Sequence, residues 1–374
     1  VEPYMPAVLD APNSLLVVDG FINGNGRTRI KLSRTASLAV TSVLPIEKGA
    51  QLFVVDNTGV RYPLAEKASG SYQSDSLQLN PARQYQLRIT TSSNATYESA
   101  LVPLKVTPAI DKLAWQLNGD EVGIQVDTHD ASAQSRFYRW NLVETWEFNA
   151  AYLSKLEYFP SPAAFRQRIG RRITPIYTCW RTERPSTIKQ TSTSQLSQDA
   201  LTGFTVLSLS TRAERLKIRY SVLVSQYAQT AEEFAYYELL RKNTEAVGTV
   251  NDPLPSQLTG NVHRVDNASE PVLGFVSAHT LQQQRLFIGA AQLPPRTNDQ
   301  YDSPYAACAL ATLYFCNPNP TVCDVQGTLD LFRSSNNVPI DFTSDPTLGD
   351  GIIGASADCA DCRKRGTNAK PIFW

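Results

Sequence analysis

Histidine and methionine are scarce in this sequence, with three His and one Met (Met5) among 374 residues. So few imidazoles leave little material for a histidine-based acid–base centre or a His-rich metal site. An excess of charge is missing too, because Lys+Arg and Asp+Glu both number 35. A balanced chain offers no basic field for nucleic acid or anionic lipid, and no acidic run to serve as a solvating tail. No stretch of about 18 apolar residues occurs, so no segment predicts a membrane-spanning helix. A Gly-x-Ser-x-Gly elbow for a serine nucleophile is lacking, as is a glycine loop that opens a helix to cradle phosphate. The stretch GFINGNG (20–26) follows a strand but leads into RTRIKLSRT, a second strand, so it reads as a turn.

What is present is mostly alternation. LLVVDGFI (15–22), RIKLSRT (29–35), QLFVVD (51–56), VRYPLAE (60–66), QYQLRITT (84–91) and TYESALVPLKV (96–106) are short strands separated by turn residues. In QYQLRI, Tyr85, Leu87 and Ile89 alternate with Gln84, Gln86 and Arg88, which predicts one buried face. Asn57-Thr58-Gly59 predicts a hairpin turn. Strands at this spacing predict an immunoglobulin-like β-sandwich over 13–106. A Pro-marked joint, VTPAIDKLAW (106–115), then leads into a larger strand-rich domain over 107–374. The lead VEPYMPAVLDAPN predicts an extended tether over 1–12 rather than a folded element.

In the second part, RFYRWNLVETWEF (136–148) places Tyr138, Trp140, Leu142, Trp146 and Phe148 on one face, interrupted by Glu144. RLKIRYSVLVSQY (215–227) alternates likewise. One main helix is expected over 230–248, with Thr230 as cap, Glu232 and Glu233 in the first turn, and Gly248 past its end. Residues 294–358 are rich in Pro, Asn, Asp, Ser and Gly, and read as a long irregular region that needs staples.

The staples are at hand. Six cysteines occur (Cys179, Cys308, Cys316, Cys323, Cys359 and Cys362), five of them in the last 67 residues. An even count without paired His ligands favours disulfides over zinc, hence an oxidising compartment. Cys316 and Cys323 flank the turn-rich CNPNPTVC and are expected to pair. The other four form two further bridges, whose connectivity the sequence leaves open. KPIFW, after a basic CRKRG stretch, predicts that the C-terminal Phe373 and Trp374 dock onto the second domain.

Candidate chemistry is sparse. Glu144, on an aromatic face, needs a cationic partner, and Arg139 or Arg219 on neighbouring strands are the expected ones. Glu144 and Glu147 cannot form a glycosidase pair, since odd and even strand positions point oppositely. His129 lies in the loop Asp127-Thr128-His129-Asp130; His263 and His279 are expected to hydrogen-bond locally. Trp140, Trp146, Trp180, Tyr236, Tyr237 and Tyr301 are aromatic candidates for a binding surface, with Glu144, Trp140 and Trp146 the foremost. No catalytic, cofactor-binding or metal-ligating set emerges, which points to a binding protein rather than an enzyme.

Several segments carry a resemblance: LLVVDGFI with KLSRT, FYRWNLVETWEF, Cys179-Trp180, RYSVLVSQY, DPLPSQLTGNV followed by LGFVSA, and CADCRKRGTNAKPIFW. Together and in this order they resemble the family of domain of unknown function 4249, lipoproteins of Bacteroidota outer membranes. That resemblance implies an N-terminal lipid on a cysteine just before the mature chain, a place on the cell surface, and a partner TonB-dependent outer-membrane transporter. It supplies no reaction. The matching positions Arg219, Tyr220, Ser221, Gln226, Gly260, Asn261, Cys359, Cys362 and Trp374 read as structural, while Cys316 and Cys323 are additional to the pattern. The function expected is therefore that of a lipid-anchored accessory subunit assisting substrate capture, its cargo a small molecule, glycan or peptide. A surface structural or adhesion module is the runner-up, and a carbohydrate-active enzyme working through Glu144 or His129 is the third reading.

Overall fold

The computed structural model of the chain describes residues 14–35, 45–160, 168–245, 260–316 and 322–374. The expected tether over 1–12 lies outside the described residues, as does Gly248.

Alternation builds the first unit. Its strands are β1 (Leu16–Asn23), β2 (Arg27–Arg34), β3 (Gln51–Asp56), β4 (Arg61–Ala68), β5 (Ser71–Ser76), β6 (Gln84–Thr90), β7 (Thr96–Ser99) and β8 (Val102–Lys105). Tyr85, Leu87 and Ile89 of β6 are buried as the pattern predicts. At the β3–β4 turn, Asp56 accepts the N–H groups of Thr58 (2.9 Å) and Val60 (3.0 Å), and Gly59 takes φ +89.

The chain then enters a sandwich. Its strands include β9 (Ile110–Asn118), β10 (Glu121–His129), β11 (Phe137–Asn149) and, after the short hairpin β12 (Leu156–Tyr158) with β13 (Ile169–Arg171), β14 (Thr178–Glu183). β15 (Lys189–Ser192), β16 (Ala200–Ser210) and β17 (Arg219–Ala228) follow, and then the helix α1 (Ala231–Glu245). Thr230 Oγ1 accepts the Glu233 N–H at 3.1 Å, the N-terminal cap expected.

From α1 the chain returns to the first unit. β18 (Val262–Arg264) pairs with β7, and β19 (Ala278–His279) inserts in parallel between β1 and β8. Because β8 also pairs with β6, the path β6-β3-β4-β5-β2-β1-β19-β8 closes on itself. An immunoglobulin-like sandwich keeps two sheets apart; here β8 and β19 bridge them, so hydrogen bonding does not divide the ring. Val262, Val272, Val276 and Ala278 complete the core begun by Leu16, Ile30 and Leu52. The boundary expected at residue 106 is therefore crossed: a segment near residue 270 belongs to the first unit. Glycine makes this crossing feasible. A Cβ on Gly260 would lie 1.7 Å from the Gly274 carbonyl oxygen, and Gly274 itself has φ +127 with Val18 O close by. Asn261 locks the loop, its side-chain amide both donating to and accepting from the Val276 backbone (2.9 and 2.8 Å).

β20 (Gln282–Gly289) completes the sandwich, one sheet running β14-β11-β17-β20 with β15 also on β11, the other β16-β10-β9. Tyr138, Trp140, Leu142, Trp146 and Phe148 of β11 meet Val122, Ile124 and Val126 of β10 between the sheets. A third, smaller lobe follows. The region read as irregular in fact contains the sheet β21 (Ala311–Tyr314), β23 (Gly349–Ser356) and β22 (Asn337–Asp345), in the order β21-β23-β22. The cysteines pair Cys179–Cys362, Cys308–Cys359 and Cys316–Cys323. The first bridge ties this lobe to the sandwich.

The tail docks through its last residue. Trp374 packs edge-on to Phe287 (5.8 Å between centroids), lies under Arg219 and donates its indole N–H to Glu147 at 3.2 Å. Phe373 stacks beneath the Arg285 guanidinium at 3.6 Å but stays exposed, and Ile372 is fully exposed. The burial expected of Phe373 is thus not achieved.

Candidate functional site

Glu144 sits on the inner face of β11, 1% exposed. Its Oε2 accepts from the Tyr220 hydroxyl and from Arg215, each at 2.7 Å. The partner is Arg215, from the turn before β17, and not Arg139 or Arg219. Those two occupy the opposite face of the sheet: Arg139 is five residues from Glu144 on β11, and Arg219 stands beside Glu147. Burial, and then the adjacent Glu144 charge, push the Tyr220 phenol far above its usual range, so it stays a donor.

Across the strands Glu144 is paired with Glu183. Like charges placed so would repel, but Arg215 lies 3.8 Å from Glu183 as well, and also covers the Trp146 ring at 4.8 Å. A cleft of about 620 Å³ opens beside them, lined by Ser186, Ser208 and Ser210 among others. Glycoside hydrolysis needs one carboxyl held protonated and one free. Here a single guanidinium serves both, an arrangement that ties the turn before β17 to β11 and β14 of one sheet.

Trp140 is buried and donates its indole N–H to Gln226 at 2.9 Å; Trp146 is buried too. These two foremost candidates for a binding surface are core residues. Gln226 also donates to Pro108 O and Thr128 Oγ1, each at 2.9 Å. Tyr301 is buried, and Tyr236 and Tyr237 pack at α1, where the Arg139 guanidinium lies 3.9 Å from the Tyr237 ring centre. His129 is exposed, 2.6 Å from Asp111, whose hydrogen bond raises the imidazole pKa. Asp130 caps its own turn through Ser132. His263 is exposed on β18 opposite Glu98.

His279 is buried where the two larger units meet. Its Nε2 is 3.2 Å from Ser277 Oγ and 3.7 Å from Glu233 Oε1, with Arg139 at 3.6 Å from the same carboxylate. Burial opposes the charge on Glu233, yet His279, Arg139 and Ser277 together hold its pKa below the usual carboxylate range. These groups fasten α1 to both units. Among the described residues no group of three or more His, Cys, Asp or Glu could hold a metal ion.

A different surface is open. The connection after β11, the end of β13, β14 and β22 enclose a groove of about 930 Å³, floored by Tyr177 and Trp180. Leu153 (54% exposed), Ile173 (78%) and Phe342 (54%) project into it from three separate segments. Isolated exposed apolar residues are ordinary; a convergent set makes this groove the candidate binding surface. The walls are fixed. Ser154 Oγ donates to Pro339 O at 2.6 Å, Lys155 N to Ile340 O at 2.8 Å, and Asn368 Nδ2 to Pro175 O at 2.9 Å. Trp180 and Thr367 exchange both backbone hydrogen bonds, next to the Cys179–Cys362 bridge. The groove is thus held in shape by its own hydrogen bonds and disulfide. Of these residues the sequence singled out Trp180 alone. Leu153, Ile173 and Phe342 lie outside any periodic run and meet only in the folded chain.

Comparison with known proteins bears on identity. A family model described as a domain of unknown function (DUF4249) matches residues 1–285. Phe342 and Asn368 of the groove, and all of β21, β22 and β23, lie beyond that match. Among curated proteins none matches the sequence. Among solved structures, a Bacteroides uniformis protein described in terms of carbohydrate binding is similar at 12% identity and TM-score 0.16, over 59% of this chain and 92% of its own. The adhesin InvE of Yersinia pseudotuberculosis is similar at 13% identity and TM-score 0.15, over 56% and 54%. Likenesses this slight carry no argument about fold or function.

Proposed function

The chain belongs to the DUF4249 family, and on that premise we propose that it is a non-catalytic, lipid-anchored protein of the outer cell surface. In this reading it is the accessory subunit of a TonB-dependent outer-membrane transporter and assists substrate capture. The observation that carries the binding part is the preformed groove between Trp180 and Phe342, where apolar side chains remain exposed on a covalently stapled support. Three disulfides suit an oxidising, extracytoplasmic setting. The remaining parts rest on the family resemblance. A tether of a dozen residues reaches about 40 Å when extended, enough to hold the body above a bilayer. Lipid anchoring places both partners in one membrane, so that even a modest interface stays engaged.

The test has two arms. The gene should encode a cysteine immediately before Val1, preceded by a lipoprotein signal. Gentle detergent extraction of outer membranes should bring the protein out with a TonB-dependent transporter. No cysteine would remove the tether; extraction of the protein alone would remove the partner and favour a structural or adhesion role.

A further inference from the structure

We propose that the groove selects an amphipathic anion: an apolar or aromatic body bearing one carboxylate or phosphate. This names a ligand class for the site and rests on the reading of the groove as a binding surface. It does not depend on the transporter.

Charge complementarity carries the inference. The charged residues that line the groove are Lys155, Arg171 and Arg172, and no carboxylate is among its lining residues. In a chain whose charges balance, that is a local asymmetry. Lys155 is partly engaged by Asp341 at 2.5 Å, on the exposed rim. Arg171 is exposed and makes no ion pair among the described residues.

Arg172 is the central group. Its side chain is only 13% exposed, and its Nε donates to Ser154 Oγ at 2.8 Å. The nearest carboxylate oxygen, on Glu157, is 4.0 Å from Nη1. Glu157 is already engaged elsewhere: it accepts from the N–H groups of Ile173 (2.9 Å) and Thr174 (3.0 Å) and from the Thr174 hydroxyl (2.6 Å). Asp361, the next acid, is gripped by Arg363 at 2.7 Å. A largely buried guanidinium whose nearest carboxylate stands 4.0 Å away and is shared with three other donors is costly, and burial lowers its pKa although Glu157 and Asp361 oppose the shift. Its fork can donate two parallel hydrogen bonds to a planar carboxylate or to a phosphate. Ile173, Leu153, Trp180 and Phe342 then cover the apolar remainder of the ligand.

Calorimetric titration of the intact, disulfide-bonded protein with matched probes tests this. The probes are 3-phenylpropionate, phenyl phosphate and uncharged 3-phenylpropanamide. The acid or the phosphate should bind about tenfold more tightly than the amide, the difference expected for one charge-assisted hydrogen-bonded contact; which of the two binds better identifies the anionic group. Arg172→Gln should bring the anion down to the amide's affinity, and Ile173→Ser should weaken all probes alike. Should Arg172→Gln fail to fold, Arg171→Gln on the exposed rim should still reduce anion affinity several-fold without changing the melting curve. The proposal is overturned if the amide binds as tightly as the anions, if Ile173→Ser leaves binding unchanged, or if no probe binds at millimolar concentration. Co-extraction with a transporter reads separately: anion binding without it sinks only the partner, and co-extraction without anion binding sinks only this proposal.

Discussion

Asp56 shows how much one buried carboxylate can organise. Burial by itself would raise its pKa, but hydrogen bonds from Thr58, Val60 and Arg83 outweigh it and hold the group at about 2, against an ordinary 3.8. A depressed folded value contributes stability that is complete above the unfolded pKa and is lost as pH falls through the folded one, here from about pH 4 down to about pH 2. Asp56→Asn should therefore show a smaller drop in melting temperature across that window than the unaltered protein, in thermal scans at stepped pH. Glu144 illustrates the opposite risk, a buried charge with one cation. Arg215→Met should destabilise by about 3 kcal/mol, because Glu144 is left between the sheets with only the Tyr220 hydroxyl. The double change Glu144→Gln with Arg215→Met should recover part of that loss in urea titrations. Strict additivity of the two single changes would refute the coupling.

Among the elements, the C-terminal tail and the hairpin of β22 with β23 depart most from what alternation alone predicts. In the tail, Trp374 makes the contacts while Ile372 faces water. Trp374→Ala should cost about 1–2 kcal/mol, from lost apolar contact and the stacking with Arg219; Ile372→Ser should leave the melting curve in place. Equal effects from the two would mean that the tail is not anchored by its indole. The hairpin lies in a stretch dense with Asp, Gly, Pro and Ser. Its turn is nonetheless well specified: Asp345 accepts the N–H groups of Thr347 (2.8 Å) and Leu348 (2.9 Å), and Gly349 takes φ +80. Strands of one lobe can be polar on an exposed face, and then composition reads as loop.

At the scale of the molecule, covalent bridges join distant segments. Cys179 and Cys362 are 183 residues apart, Cys308 and Cys359 are 51 apart, and Cys316 and Cys323 are 7 apart. Loop-closure entropy then ranks their contributions at roughly 5, 4 and 2 kcal/mol. Paired Cys→Ser replacements should lower the unfolding free energy in that order, measured by guanidinium titration; a reversed order would place the stabilisation elsewhere. The ring of the first unit is incomplete without β19, and β7 lacks its outer partner without β18. A fragment of residues 14–106 should accordingly show no dispersed amide spectrum by nuclear magnetic resonance, and a fusion of it to residues 260–285 should restore one.

Local physics was legible from the start. The alternation of Tyr85, Leu87 and Ile89, the cap at Thr230, the turn at Asn57-Thr58-Gly59 and the short Cys316–Cys323 loop each depend on residues within a few positions of one another, so the sequence alone determines them. The partner of Glu144, the return of β18 and β19 to the first unit and the pairing of the other four cysteines depend on contacts across tens to hundreds of residues. So does the groove, where Leu153, Ile173, Trp180 and Phe342 share no period and no motif. Side chains from distant segments meet only after the sheets have stacked and the bridges have closed, and for that reason tertiary structure alone decided where these exposed apolar side chains converge.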